Sequence, residues 1–483
     1  MSASISRREF IGTAAAGTGA MFLAGHFGAR RVAAAGQSPG VGLPPVKIHK
    51  VYVGRSHVAW PKPAFDPKAE VEKFEKRLAE VEPQLGDIRF VGGELVQNAA
   101  DAAKVVPALA GADGVLLVHL SLGTLPLMQQ IVDAGRPTVI FSQPFSGHEW
   151  MFIKQWEKAG KRVALFATSD YGELATAAAL LRVPARMRQS RVVAVPGRLD
   201  GTKAACDPKL IRERLGTDVV ACSYERLIEA HRAVDAKLAE AEAEAYWMRP
   251  AKKIVEPSRE EIIKSARMYL AMRNVMTQER AQAMTINCLG GLPIDVLGYP
   301  CLAFSRLDDM GLVGACEADI DSTLTKLLFT YAFGVPGFIT DPLFDTARNA
   351  VIHAHCTAPT KMDGPKGERA PFVIRTHTDD DKGAALEVEM RVGQTITCAK
   401  LIHLDTMLLS TGKITEIPDF DDRGCRTQIT TEVADARKLL DNWGAGLLDG
   451  WMPQLHRVVF YGDRMQPVKH LATLMGFRII EGM

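Results

Sequence analysis

Val46-Lys47-Ile48-His49-Lys50-Val51-Tyr52-Val53, then Asp66-Pro67, then Val71, Phe74, Leu78 and Val81: on this stretch the fold turns. The first eight residues are rich in β-branched side chains and read as a strand. Asp66 supplies an N-cap and Pro67 a preset first helical turn. The four apolar residues that follow recur at helical spacing, with Glu and Lys between them. The unit then repeats. Short apolar runs stand at Ile88–Val91, Val115–Val118, Thr138–Phe141, Val163–Ala167 and Val192–Val195, with helical stretches between most of them. Strands of this length alternating with helices predict a parallel sheet covered on both faces. No G-x-G-x-x-G follows the first strand, so the dinucleotide fingerprint is absent. Gly111-Ala112-Asp113-Gly114 precedes a strand and reads as a turn.

In such sheets ligands bind beyond the carboxyl ends of the strands. Two loops fall there: Ser142-Gln143-Pro144-Phe145-Ser146-Gly147-His148-Glu149-Trp150 and Ser169-Asp170-Tyr171-Gly172. Both are polar and aromatic, which suits contact with a sugar or another small molecule as well as ordinary loop chemistry. From about 224 to 284 the chain reads as mostly helical. Ala236–Trp247 is Ala/Glu-rich and Pro250 ends it, while Ser258-Arg259-Glu260-Glu261 resembles a capping box. Strand and turn signals return at 285–315. From about 345 the chain reads as a β-rich domain, with Ala384–Leu401 alternating around Gly393 like a hairpin.

Composition narrows the function classes. The 483 residues are 47% hydrophobic and 24% charged, which are globular values. The 58 basic and 56 acidic residues leave a net charge of +2, so a dedicated nucleic-acid binder is not expected. No run of about 18 apolar residues occurs, so no membrane span is expected. Eight cysteines without a CxxC pair argue against a disulfide scaffold and a zinc ribbon. Ser6-Arg7-Arg8-Glu9-Phe10-Ile11, an Ala/Gly-rich apolar stretch from Gly12 to about Gly25, and Ala33-Ala34-Ala35 resemble a twin-arginine (Tat) export signal over 1–35. Cleavage after Ala35 would leave a periplasmic or secreted protein, exported folded by the Tat machinery. That route raises the expectation of a bound metal or cofactor.

The acids and histidines of 287–359 are where a metal is sought. Glu317 lies in Gly314-Ala315-Cys316-Glu317-Ala318-Asp319, between an apolar run and a helix-like one. Asp341 follows 24 residues later, again at the end of an apolar run. His353 and His355 share one face of a strand, because side chains alternate with period two. His456 precedes the apolar run Val458-Val459-Phe460-Tyr461. Two carboxylates with one or more histidines suit Mn²⁺, Mg²⁺, Co²⁺ or Fe²⁺ better than a thiolate-seeking metal. An acid at a strand end also serves as a helix cap, and a strand histidine as a core residue, so spacing leaves both readings open. Cys288, Cys301, Cys316 and Cys356 read as small core residues.

Pro300-Cys301-Leu302-Ala303-Phe304-Ser305-Arg306-Leu307-Asp308-Asp309, with Gly311 and Ala315-Cys316-Glu317-Ala318-Asp319, resembles the metal-site region of the L-fucose isomerase/L-arabinose isomerase superfamily. His355-Cys356-Thr357-Ala358-Pro359 and His456-Arg457-Val458-Val459-Phe460-Tyr461-Gly462-Asp463 are similar to motifs of its fucose-isomerase-like branch. The resemblance covers about 285–360 and 450–480, and is architectural over 46–200. It implies an α/β fold of two Rossmann-like layers, 46–172 and 173–340, followed by a β-rich, barrel-like C-terminal domain, 341–483. It implies Glu317, Asp341 and His456 as metal ligands, with His355 as a further ligand of the arabinose branch. It implies Mn²⁺ or another divalent cation, a trimer or hexamer, and a sugar substrate. Departures are Ala318-Asp319 where Gly-Asp is common, and the export signal.

The implied reaction is aldose–ketose isomerisation. A cation chelated by O1 and O2 polarises the carbonyl and holds enediolate charge, while Glu317 or Asp341 moves the proton between C1 and C2. Epimerisation or elimination from a keto-sugar would use the same site. A non-catalytic exported sugar-binding protein is the alternative from another class.

Overall fold

The computed structural model describes residues 42–418, 423–444 and 451–482. The export signal and the cleavage point after Ala35 lie outside the described residues. The chain is mixed α/β, with two parallel sheets followed by a β-rich C-terminal region.

The first sheet holds β1 (Val46–Val53), β2 (Ile88–Val96), β3 (Gly114–His119), β4 (Thr138–Ser142) and β5 (Val163–Ala167). Its order is β2-β1-β3-β4-β5 and every pairing is parallel. All six residues of β3 are buried, as a central strand covered on both faces requires. Asp66 caps the helix Pro67–Val81 through its side chain, which accepts the Lys68 N–H at 2.9 Å. Phe74, Leu78 and Val81 are the face this helix buries.

The second sheet holds β6 (Arg191–Val195) and β7 (Asp218–Ala221). After a two-residue β8 (Lys253–Ile254) that joins another sheet come β9 (Ala283–Ile286) and β10 (Val313–Ala315). The order is β10-β9-β6-β7, again parallel. Gly314 sits where helix Cys301–Asp309 crosses β10. A Cβ there would stand 2.7 Å from Phe304 Cα, so only glycine permits the approach.

The remaining strands are β11 (Phe338–Asp345), β12 (Ala350–His355), β13 (Phe372–Arg375), β14 (Ala385–Val388), β15 (Thr395–Ile402), β16 (Thr406–Glu416), β17 (Thr427–Glu432), β18 (Arg457–Tyr461) and β19 (Arg478–Glu481). Following the pairs β15-β18-β11-β12-β17-β16 leads back to β15, because β16 also pairs β15. Six strands therefore close into a barrel, which leaves no open edge among them. β19 adds to β16 in parallel, and β14-β13-β8 form a separate small sheet. All the sheets belong to one unit spanning 36–483. Among the described residues no helix is long and apolar enough to cross a membrane.

Two local expectations change. The helix at Ala236 is α-helical to Glu242 and continues as a π-helical turn, Ala243–Met248. The stretch Ala384–Leu401 is not a hairpin. β14 pairs β13, whereas β15 pairs β16 and β18. Gly393 does turn the chain, at φ +86°, but it passes the chain from one sheet to another. Alternating burial marks a strand without naming its partner.

Candidate metal centre

Beyond the carboxyl end of β10, Glu317 meets His355, the last residue of β12, and His456, just ahead of β18. Glu317 is the second residue after β10, and both it and Ala318 have φ of +57°. Two successive non-glycine residues in the left-handed region are costly and persist only where the surroundings fix them. Here the surroundings do so. The Ala318 N–H donates to Ile286 O at 3.0 Å, and the Ala318 carbonyl accepts the Asp200 N–H at 3.0 Å. The turn throws the Glu317 side chain toward the barrel.

Four donor groups converge on this turn. Cys316 Sγ, a Glu317 carboxylate oxygen and one nitrogen each of His355 and His456 lie within 4.8 Å of one another. Glu317 Oε1 is 3.5 Å from His355 Nε2 and 3.7 Å from His456 Nε2. Asp341, on β11, adjoins them through His456, with Oδ1 3.5 Å from Nε2. Among the described residues, neither Asp341 Oδ1 nor His456 Nε2 has a hydrogen-bond partner, although both atoms are buried. Buried polar atoms without partners are costly and call for an explanation.

Donors at about 2.0–2.2 Å from one shared ion stand roughly 3.0–3.7 Å apart. The Glu317, Asp341 and histidine separations match that spacing, and the two orphaned atoms are lone-pair donors facing the same gap. The residues therefore fit a divalent cation. The donor cluster itself is Cys316, Glu317, His355 and His456, with Asp341 beside it.

A second ring of groups holds the donors. Asp319 caps helix Ile320–Phe333 by accepting the Ser322 N–H at 2.9 Å on Oδ1. Its Oδ2 takes the Lys400 ammonium at 2.9 Å and His456 Nδ1 at 2.9 Å. Asp319, Lys400 and His456 are all fully buried. A carboxylate on one imidazole nitrogen fixes the ring and turns the other nitrogen outward as a lone pair. Burial opposes charge on His456, but Asp319 and Glu317 outweigh it and push its pKa up to about 9. Burial likewise opposes the Glu317 carboxylate, yet His355 and His456 hold it well below the usual carboxylate range. Asp341 is pushed up, by burial first and by Glu317 against the pull of the two histidines.

The structure thus brings Glu317, His355 and His456 together and sets Asp341 against His456. His353 is a core residue, held between Thr340 Oγ1 at 3.2 Å and Thr431 Oγ1 at 3.0 Å. The loops after β4 and β5 belong to the first sheet. There Phe145 stacks on Trp60 at 5.5 Å and Tyr171 donates to Gln143 at 3.1 Å. Sequence reasoning missed three participants: Cys316, Asp319 as the holder of His456, and Lys400. The one local signal was Asp319 itself, two residues beyond Glu317 and at a helix start.

The chain is similar to the sulfoquinovose isomerase of Clostridium sp. (strain MSTE9). The two are 23% identical over 218 residues, which is 43% of this chain and 46% of that enzyme. The match therefore spans less than half of the curated relative's length. No family model matches the chain.

Proposed function

We propose that the protein is a divalent-metal-dependent aldose–ketose isomerase of the sugar-isomerase type. The carrying observation is the pair of buried, unpartnered donor atoms, Asp341 Oδ1 and His456 Nε2, facing one gap beside Glu317. Similarity to a sugar isomerase supports the choice of reaction. Glu317, Asp341 and His456 would hold the cation, with Mn²⁺ the first to try and Co²⁺, Mg²⁺ or Fe²⁺ as alternatives. When bound, such a cation polarises the sugar carbonyl and offsets the negative charge that develops on the neighbouring oxygens.

The chain's own groups do the rest. The left-handed turn at Glu317 and Ala318 aims the Glu317 carboxylate at the gap. Asp319 and Lys400 hold His456 so that its Nε2 lone pair faces inward. With Oδ1 given to the cation, the other carboxylate oxygen of Asp341 would take the proton from C2 and deliver it to C1, while the hydroxyl proton passes from O2 to O1. A single base serving both carbons needs one face of the sugar chain presented to it, which a fixed carboxylate at a buried gap supplies.

The test is a sugar panel in D₂O with the Mn²⁺-loaded protein, followed by proton NMR. Sulfoquinovose, the sugar in the relative's name, is the first member, with L-fucose beside it. Ketose formation with solvent deuterium at C1 or C2 is expected. Tight sugar binding with no exchange and no metal would replace the isomerase with a sugar receptor. The twin arginines support export to the periplasm. Replacing Arg7 and Arg8 by lysine would then keep the protein in the cytoplasmic fraction. Assembly as a trimer or hexamer is part of the same proposal and is read by light scattering.

A further inference from the structure

Two histidines face the gap, 5.3 Å apart between ring centroids, and their hydrogen bonds make them chemical opposites. His456 Nδ1 lies 2.9 Å from the Asp319 carboxylate. A carboxylate in that contact accepts, so Nδ1 carries the hydrogen, and in the neutral, ligating ring Nε2 holds the inward lone pair. His355 is reversed. Its Nδ1 accepts the Cys356 backbone N–H at 2.8 Å. A backbone amide nitrogen only donates, so Nδ1 must carry the lone pair. A neutral imidazole has one N–H, which therefore sits on Nε2, the nitrogen that faces the gap.

A nitrogen bearing a hydrogen cannot give its lone pair to a metal. For Nε2 of His355 to ligate, the ring would have to shift its proton onto Nδ1 and break the Cys356 bond. Among the described residues the acceptors near Nε2–H are loose: Glu317 Oε1 and Cys316 Sγ, each at 3.5 Å. It is a donor still able to make a good hydrogen bond.

We infer that His355 is not a further metal ligand but a fixed Nε2–H donor, presented to an oxygen of the sugar at the reacting carbons. The identity of that acceptor rests on the isomerase reading; the tautomer does not. A donor at this place stabilises negative charge as it grows on the sugar oxygen, next to the carbon that Asp341 serves.

The full-length protein labelled with nitrogen-15 histidine tests the tautomer, with the His355→Gln variant assigning the resonance. An unprotonated Nδ1 with a protonated Nε2 is expected. A protonated Nδ1 overturns the inference. Metal content and turnover test the role. His355→Ala and His355→Gln are expected to hold as much Mn²⁺ as the wild type, while His456→Ala loses it. Turnover should fall roughly 100-fold or more in His355→Ala. The Gln variant, whose side-chain NH₂ stands near the place of Nε2–H, should recover a large part of it. Loss of Mn²⁺ from both His355 variants, with melting temperatures unchanged, would make His355 a ligand and overturn the inference. A wild type that holds no Mn²⁺ and turns over no sugar removes the isomerase reading, and the nitrogen-15 spectrum still decides the tautomer.

Discussion

Two sets of acids in this chain, Asp308 with Asp309 and Glu317 with Asp341, differ in how their oxygens are used. Asp308 and Asp309 close helix Cys301–Asp309 and are buried. Asp308 takes the Lys326 ammonium at 2.6 Å and the Gly314 N–H at 3.1 Å. Asp309 accepts from Tyr246 at 2.7 Å and from the Lys361 N–H at 2.7 Å, with Thr360 as a third donor. Their oxygens are in use. Glu317 and Asp341 face His355 and His456 at 3.5 Å or beyond, and among the described residues Asp341 Oδ1 has no hydrogen-bond partner. Asp308 and Asp309 are the more deeply buried set, with Glu317 and Asp341 only partly buried, so depth of burial does not mark a working site. Unspent hydrogen-bonding capacity does.

Breaking each set should therefore have a different signature. The largest effect expected is on Glu317→Ala. Metal content should drop from about one ion per subunit to none, and turnover by roughly 1,000-fold or more, with the melting temperature of the metal-free protein unchanged or raised. Elemental analysis beside calorimetry reads both. A variant that keeps its metal would break the comparison. Lys326→Met should do the reverse: it strands Asp308 in a fully buried place and should cost about 3–5 kcal/mol of stability, read by urea unfolding. Asp319→Asn lies between the two. Its amide no longer fixes the His456 tautomer, and metal affinity should weaken about 10–100-fold in a titration that leaves the stoichiometry intact.

The smallest effect concerns a third buried acid, remote from the centre. Glu149 accepts the Gly123 N–H at 2.7 Å and lies 3.2 Å from His119. Burial pushes its pKa up, but His119 and backbone donors outweigh this and hold it at about 2, below the ordinary 4.5. A depressed carboxylate stabilises the fold above its unfolded pKa and loses that contribution as pH falls toward its folded one. Glu149→Gln should thus melt below the wild type at pH 7. The gap should narrow as pH falls from about 4.5 toward 2. An equal gap at every pH would mean that Glu149 acts by packing alone.

The parallel sheets were legible because their strands carry their own signals. β3 carries the unbroken apolar run Val115–Val118, and Asp66-Pro67 announces a helix before its first turn. The barrel was legible only as β-rich. Its closure depends on β16 pairing β15 along one edge and β17 and β19 along the other, and no local pattern records a partner. The misread turn at Gly393 has the same cause. At the centre, Glu317 and Asp341 stood out as acids after apolar runs and His456 as a histidine ahead of one, its role as a ligand coming through resemblance. Lys400 did not stand out, since a lysine in the buried run Thr395–Ile402 gains its meaning only when Asp319 arrives opposite it. Cys316 looked like core, because sequence period cannot tell a thiol packed against carbon from one facing a gap.

His456 precedes β18, which is inserted between β11 and β15 and is thus a member of the barrel wall rather than an appendage to it. Asp319 and its histidine are 137 residues apart in the chain. During synthesis domains fold from the N-terminus as they emerge, so both parallel sheets can be complete while the wall still lacks a stave. A chain halted ahead of β18 would carry Glu317 on a finished turn, without the histidine that Asp319 holds.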